Sequence, residues 1–163
     1  MRIVRMNHAV LYVRSADRTA RFYEEVLGFR RIIDDAAGRF VFLRAPLSQN
    51  HHDIALFAVG EQAGPSRAGD DVGLYHIAWE VPTLDDLADA EARLAEAGAL
   101  VGKSDHGPNK SLYGKDPDGL EFEVMWLVPA DQWGDEEHEA IIRPLDIAAE
   151  KRRQQERAST ART

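Results

Sequence analysis

Residues 74–98 read LYHIAWEVPTLDDLADAEARLAEAG, in which a strand pattern is followed by a helix pattern. Its first eight residues are mostly apolar or aromatic and predict a strand over 74–81. Thr83 is a suitable helix N-cap. Apolar residues then recur at helical spacing as far as Gly98, which is typical of the residue that ends a helix. Further strands are predicted near 100–104, 110–115 and 120–128, so residues 74–128 form a βαβββ module.

The same order of elements occurs earlier in the chain. Residues 6–13 (MNHAVLYV) predict a strand, Ser15 predicts a helix N-cap, and Gly28 ends a helix that begins at Ala16. The strands expected after this helix cover residues 29–34, 39–45 and 53–59. Residues 6–59 therefore form a first βαβββ module.

The two modules indicate an internal duplication. His76 follows His8 by 68 positions, and each lies in the first strand of its module. One module of roughly 60 residues would bury little apolar surface if it folded alone. The two modules are therefore expected to form one domain. We predict an α+β fold over residues 1–128, in which two tandem βαβββ modules, joined by a linker at 60–73, form a curved mixed sheet around a metal cleft.

Residues 129–163 lie outside the repeat and predict a C-terminal helical extension. Pro144-Leu145-Asp146 precedes a polar helix of about a dozen residues, which leads to a Ser-, Thr- and Arg-containing tail. One interpretation is a surface helix with a disordered end. The other is an arm that packs on a second subunit, in a homodimer or a higher homo-oligomer.

Composition excludes several classes of function. The net charge of −8 argues against nonspecific nucleic-acid binding, which needs a basic surface. The chain has no cysteine, so a metal would be held by imidazole and carboxylate groups. Neither a signal peptide nor an apolar run long enough to cross a membrane is evident, and a cytoplasmic location is expected.

Three residues at matching places in the repeat suggest a metal site. His8 and His76 occupy equivalent strands, and Glu123 lies in the last strand, on the opposite face from Phe122 and Val124. Two histidines and one carboxylate form a facial triad, which suits divalent iron or manganese and leaves coordination positions open. Taken singly, each of these residues is more often a hydrogen-bonded or solvated side chain.

The turn Asp116-Pro117-Asp118-Gly119 precedes Glu123 and resembles the DPDG-x-x-x-E signature of the vicinal-oxygen-chelate superfamily, which contains glyoxalases, bleomycin-resistance proteins and extradiol dioxygenases. Asn7-His8 and Tyr75-His76-Ile77-Ala78 are similar to its other two ligand strands. The resemblance covers residues 6–128. It implies that His8, His76 and Glu123 are the metal ligands.

The residues around the triad resemble those of type I extradiol catechol dioxygenases within this superfamily. Glyoxalase-type isomerases carry a fourth ligand at the symmetry mate of Glu123, which here is Ala55. The resemblance implies that one of His51 and His52 acts as acid and base, with His52 favoured because it abuts a strand. It also implies that His106 and Tyr113 hydrogen-bond the substrate, with Tyr113 donating to a substrate oxygen.

The resemblance therefore implies an enzyme that cleaves a catechol-like aromatic ring with O₂ and uses Fe(II), with Mn(II) as an alternative. A lyase, isomerase or thiol transferase that binds nickel or zinc is a second interpretation, and a metal-free drug-binding protein is a third. Six aromatic residues are candidates for an apolar wall around the substrate ring: Phe40, Phe42, Phe57, Tyr75, Trp79 and Trp126. The other interpretation is that they are ordinary residues of the hydrophobic core.

Overall fold

The computed structural model describes residues 1–64 and 72–160, and it contains the two predicted modules in the predicted order. The first module consists of β1 (Ala9–Val13), α1 (Ala16–Leu27), β2 (Arg30–Asp34), β3 (Phe40–Arg44) and β4 (Ile54–Ala58). The second consists of β5 (His76–Glu80), α2 (Leu84–Glu96), β6 (Leu100–Asp105), β7 (Asn109–Lys115) and β8 (Glu121–Leu127). A third helix, α3 (Ile147–Thr160), confirms the predicted C-terminal helix.

The chain divides into two compact units. The first comprises Met1–Gly73 together with the turn Asp116–Leu120, and the second comprises Leu74–Lys115 and Glu121–Thr163. Part of the predicted linker, residues 65–71, lies outside the described residues. The turn that separates β7 from β8 thus belongs to the first unit, although both strands belong to the second.

Each unit contains one four-stranded mixed sheet. The strand orders are β1-β4-β3-β2 and β5-β8-β7-β6. In both sheets the first strand of the module pairs in parallel with its last strand, and the remaining pairs are antiparallel. The α+β class and the duplicated topology predicted from the sequence are confirmed.

The register of the two parallel pairs confirms the 68-residue repeat. Ala9 lies opposite Ile54 in the first sheet, and Ile77 lies opposite Phe122 in the second. Adding 68 to each member of the first pair gives the second. The symmetry mate of Glu123 is therefore Ala55, as the sequence predicted.

The first strand of each module begins later than predicted. β1 begins at Ala9 instead of residue 6, and β5 begins at His76 instead of residue 74. The Ala9 N–H donates to the Asp53 carbonyl at 2.9 Å, directly before β4 begins. Residues 6–8 have no strand partner there, so His8 precedes β1 and its side chain is exposed.

Helix caps and buried apolar faces hold each module together. The Ser15 hydroxyl accepts from the Arg18 N–H, and the Thr83 hydroxyl accepts from the Asp86 N–H, which confirms both N-caps. Gly28 has φ 72°, a left-handed conformation that glycine adopts without strain. Alternate strand residues pack beneath the helices: Val41, Leu43, Ile54 and Leu56 in the first unit, and Leu112, Phe122 and Val124 in the second.

The turn before β8 is hydrogen-bonded as its sequence predicts. The Asp116 carboxylate accepts from the N–H groups of Asp118 (2.8 Å) and Leu120 (2.9 Å), and Gly119 has φ 84°. The buried Asp118 carboxylate accepts from Arg14, Arg18 and the Thr19 hydroxyl. These bonds join the turn to the start of α1, a role the sequence did not reveal.

The C-terminal extension packs within the second unit. Two 3₁₀ turns cover Ala130–Gln132 and Gly134–His138, and α3 contacts α2. Leu145 and Ile147 are buried, and the Lys151 ammonium lies 2.6 Å from an Asp85 carboxylate oxygen. The end of the predicted tail, residues 161–163, lies outside the described residues. None of the helices in the described ranges is long and apolar enough to cross a membrane.

Candidate active site

One face of the second sheet brings two of the predicted ligands together. Glu123 lies opposite Ala78 of β5, and His76 is two residues earlier on that strand, so their side chains project from the same face. The His76 Nε2 lies 3.0 Å from the Glu123 Oε2, and Glu123 is only 7% exposed. Asn109 donates to the other carboxylate oxygen at 3.4 Å.

The His76–Glu123 pair has the spacing of two ligands of one divalent cation. Ligand atoms bound at about 2.1 Å and at right angles to each other lie about 3.0 Å apart. The His76 Nδ1 is buried and has no hydrogen-bond partner among the described residues. With its proton on Nε2 the ring donates to Glu123. With its proton on Nδ1 an Nε2 lone pair faces the carboxylate, and a cation can lie between these two acceptors. Nitrogen and oxygen donors suit first-row divalent metals.

The third predicted ligand, His8, lies in the first unit. Its Nδ1 is 2.9 Å from the Asn7 side-chain oxygen, which can only accept. The proton of a neutral His8 ring is therefore on Nδ1, and the Nε2 lone pair is available to a metal. Across the described ranges no group of three or more His, Asp or Glu side chains is gathered around one metal position, and the complete triad stays a prediction.

His52 lies beside His8 in the first unit. The two ring centroids are 4.5 Å apart, and the His52 ring centroid is 4.7 Å from that of Phe42. His51 is exposed, and its Nδ1 lies 3.0 Å from the His52 Nδ1. Burial, followed by the neighbouring His8 and His51, lowers the pKa of His52. A neutral imidazole next to a predicted ligand can accept a proton. This is what the acid and base role predicted for His52 requires.

The first sheet offers no fourth ligand at the position equivalent to Glu123. Ala55 is 1% exposed and lies opposite Val10. The nearby carboxylate, Asp53, accepts from the Ala45 N–H, the Ser48 hydroxyl and the Asn50 side-chain amide, each at 2.8 Å. Asp53 therefore holds the loop before β4 and has a structural role.

His106 and Tyr113 form a hydrogen-bonded pair. Tyr113 lies directly opposite Glu123 in the β7–β8 ladder, and its hydroxyl is 2.8 Å from the His106 Nε2. The His106 Nδ1 lies 2.7 Å from the Ile141 carbonyl oxygen. Because a carbonyl only accepts, His106 carries a proton on Nδ1, and its neutral ring accepts the Tyr113 proton at Nε2. Burial, and after it the charge of Glu123, raises the pKa of Tyr113.

This pairing gives Tyr113 a partner that the sequence did not reveal. In the neutral pair the hydroxyl proton is directed to His106, and donation from Tyr113 to a substrate oxygen stays a prediction. The Ile141 carbonyl was missed altogether. Every residue carries a backbone carbonyl, so the sequence contains no signal that singles this one out.

The aromatic residues proposed as an apolar wall do not share one environment. Phe40, Phe42 and Phe57 are half-buried and pack together, with ring centroids 5.6–6.2 Å apart. Trp126 is buried on the same face of β8 as Phe122 and Val124, so it is a core residue. Strand alternation also places Trp79 on the opposite face of β5 from His76.

Two curated relatives share about a third of their aligned residues with this chain. It is 34% identical over 122 residues to Biphenyl-2,3-diol 1,2-dioxygenase 3 of Rhodococcus globerulus, an alignment that covers 74% of this chain and 62% of that protein. It is 33% identical over 135 residues to Catechol-2,3-dioxygenase of Bacillus subtilis (strain 168), an alignment that covers 78% of this chain and 43% of that protein. The chain therefore spans less than two thirds of the length of either relative.

Solved structures share the fold. A glyoxylase/bleomycin resistance protein/dioxygenase domain from Frankia sp. EAN1pec superposes with a TM-score of 0.64 at 24% identity, covering 79% of this chain and 96% of that one. Lactoylglutathione lyase from Agrobacterium tumefaciens superposes with a TM-score of 0.57 at 21% identity, covering 82% of this chain and 98% of that one. These likenesses concern the fold alone. Residues 5–124 match the family described as the Glyoxalase/Bleomycin resistance protein/Dioxygenase superfamily, and the chain therefore belongs to this superfamily.

Proposed function

We propose that the chain is a non-haem Fe(II)-dependent extradiol dioxygenase, which cleaves a catechol-like aromatic ring with O₂. The observation that carries the proposal is the hydrogen-bonded His106–Tyr113 pair on the sheet that also carries His76 and Glu123. Relatives named as dioxygenases of catechol and of biphenyl-2,3-diol support the same reaction class.

His8, His76 and Glu123 would hold the metal. The donor set of two imidazoles and one carboxylate favours Fe(II), with Mn(II) as a replacement. When bound, the ion would supply Lewis-acid activation of the catechol and open positions for substrate and O₂. The protein would fix the orientation of the ligands: Asn7 holds the His8 ring, and Asn109 holds the Glu123 carboxylate.

The remaining polar residues would handle protons. The Tyr113 oxygen has lone pairs to accept a catechol O–H, since its own proton is directed to His106. Once His106 has received that proton, Tyr113 donates in turn to the negative charge on the substrate oxygen. His52, kept neutral by its lowered pKa, would act as acid and base in a later step.

The alternative within the same fold is a lyase, isomerase or thiol transferase that uses nickel, zinc or manganese. The buried Ala55, and Asp53 with its three hydrogen-bond donors, argue against a four-ligand isomerase. They do not argue against a three-ligand transferase. A metal-free drug-binding protein has no use for the His76–Glu123 pairing, which leaves a buried ring nitrogen without a partner among the described residues.

The test is oxygen consumption by iron-loaded protein. Full-length chain is loaded anaerobically with Fe(II), mixed with a panel of catechols and exposed to air, while an oxygen electrode and the visible spectrum are recorded. We expect stoichiometric uptake of O₂ and a yellow ring-opened product from at least one catechol. Glu123→Ala treated with the same Fe(II) is the control and should consume no O₂. Metal-containing protein that leaves O₂ untouched with every catechol would favour the transferase alternative, and protein that binds no metal would favour drug binding.

A further inference from the structure

The C-terminal extension reaches a residue of the proposed catalytic machinery. The Ile141 carbonyl oxygen lies 2.7 Å from the His106 Nδ1, across 35 positions of sequence. Ile141 lies beyond residues 5–124, the part of the chain that matches the superfamily. The hydrogen-bond partner of His106 therefore comes from outside the part of the chain that matches the superfamily.

A backbone bridge holds this segment beside His106. The Asp105 N–H donates to the Arg143 carbonyl at 2.9 Å, and the Arg143 N–H donates to the Asp105 carbonyl at 3.0 Å. This reciprocal pair is an isolated antiparallel bridge at the end of β6. It flanks the His106–Ile141 contact, so it restricts where the Ile141 carbonyl can point.

Buried charges reinforce the bridge. Asp105 and Lys110 are 4% and 3% exposed, and the Lys110 ammonium lies 2.6 Å from Asp105 Oδ1. The same ammonium donates to the Gly107 carbonyl at 2.8 Å. The Arg143 guanidinium approaches Asp105 at 3.3 Å and Glu136 at 2.9 Å. Asp105 thus holds both the loop that carries His106 and the strand-like segment that carries Ile141.

Close packing leaves little room for this loop to move. Gly107 has φ 80°, and a Cβ atom at this position would lie 2.8 Å from a Glu136 carboxylate oxygen and 3.2 Å from the Ile141 Cδ1. The extension is therefore in direct contact with the backbone next to His106.

We propose that residues 141–143 are a positioning element, whose Ile141 carbonyl keeps the proton of neutral His106 on Nδ1 and so makes the His106–Tyr113 pair a proton acceptor for the substrate. This inference rests on the proposed function. The alternative tautomer, with the proton on Nε2, would leave Nδ1 and the Ile141 carbonyl as two facing acceptors, and it would donate to Tyr113 instead of accepting from it.

The proton transfer balances without a redox partner. The substrate O–H bond breaks, its proton forms a new O–H bond with Tyr113, and its electron pair stays on the substrate oxygen. The original Tyr113 proton passes to the His106 Nε2, which becomes an imidazolium with protons on both nitrogens. The Ile141 carbonyl continues to accept from Nδ1 and stabilises this cation.

The first test is the tautomer of His106 in the metal-free full-length chain. Nitrogen-15 NMR at a pH where the ring is neutral should show the Nδ1–H form, with a ring proton protected from exchange with water. A ring protonated on Nε2 would overturn the proposal. This measurement needs no variant and no activity. A chain that shows the expected tautomer but never consumes O₂ would contradict only the proposed function.

The second test weakens the bridge in the full-length chain. Arg143→Ala removes the guanidinium contacts with Asp105 and Glu136 and should speed exchange of the His106 ring proton at least about tenfold. In the iron-loaded enzyme it should lower kcat while metal content stays unchanged. Arg157→Ala removes the same charge from the same extension, where the side chain contacts Gln132, and should change neither quantity. Arg143→Lys should restore part of the protection. Equal exchange rates in Arg143→Ala and Arg157→Ala would contradict the proposal.

Discussion

Tyr113 and Glu123 lie directly opposite each other on neighbouring antiparallel strands, and each side-chain oxygen lies within 3.0 Å of a ring nitrogen of a different histidine. Tyr113 contacts His106, and Glu123 contacts His76. Directly paired residues in a sheet have Cβ atoms about 5 Å apart, so the sheet fixes the spacing between the proton-handling pair and the candidate ligand pair. The charge of Glu123 already contributes to raising the pKa of Tyr113.

Removal of either member of the ligand pair should abolish metal binding. We expect His76→Ala and Glu123→Ala to lower Fe(II) affinity by at least about 100-fold, because changes even to the groups that orient a ligand cost 10–100-fold. His138→Ala is the matched control, since this histidine is 83% exposed and lies no closer than 3.9 Å to its neighbour Glu137. Metal content after dialysis measures the effect. Retention of stoichiometric metal in both ligand variants would contradict the assignment.

Tyr113 and His106 should act as one unit. Tyr113→Phe and His106→Gln should each reduce kcat by about 100-fold or more, while leaving the metal bound, because general acid–base catalysis contributes 10²–10⁴-fold. The double variant should be hardly slower than either single variant, since the second change removes an interaction that is already lost. Steady-state kinetics of the natural chain and all three variants form a double-mutant cycle that measures this coupling. Fully multiplicative losses would show that the two residues work independently.

The buried Asp116 should make stability depend on pH. Burial raises the pKa of Asp116 from 3.8 to about 6 in the folded chain. Between these values the folded state holds a proton that the unfolded state releases, so the free energy of unfolding falls as pH rises from about 4 to about 6. The contribution is on the order of 3 kcal/mol, at about 1.4 kcal/mol for each pKa unit.

Asp116→Asn provides the comparison, because its side-chain oxygen can still accept from Asp118 and Leu120. Urea denaturation at several pH values should show the variant gaining stability relative to the natural chain as pH rises through this window. The difference between the two chains isolates Asp116 from the other titrating carboxylates. A constant difference across the window would show that Asp116 titrates normally.

Gly114 should tolerate no side chain. A Cβ atom there would lie 2.5 Å from the Phe122 ring, which is 1% exposed in the core beneath α2. We expect Gly114→Ala to cost about 1–3 kcal/mol in unfolding free energy, as overpacking of a core does. Gly102→Ala on the neighbouring strand is the control, since its new methyl group would approach Tyr113 no closer than 3.8 Å. Similar denaturation midpoints for both variants would contradict this account of the packing.

Local features of the sequence predicted the elements with good accuracy. The helix over 16–27, its Ser15 cap and the terminating Gly28 were predicted as observed, because caps and apolar periodicity act over a few residues. The 68-residue repeat also predicted the symmetry of the two sheets, and with it the equivalence of Ala55 and Glu123. Strand ends were less accurate: a strand ends where its partner ends, and the partner is distant in sequence.

The duplicated fold and the residue types available for a metal and a proton relay could be predicted from the sequence. The folded chain was needed to identify the neighbours of these and other side chains: the Ile141 carbonyl on His106, the three donors around Asp53, and the core around Trp126. Hydrogen-bond direction, tautomer and burial depend on how the backbone places these neighbours around each side chain. A backbone carbonyl, in particular, has no sequence signature until the fold places it beside a side chain.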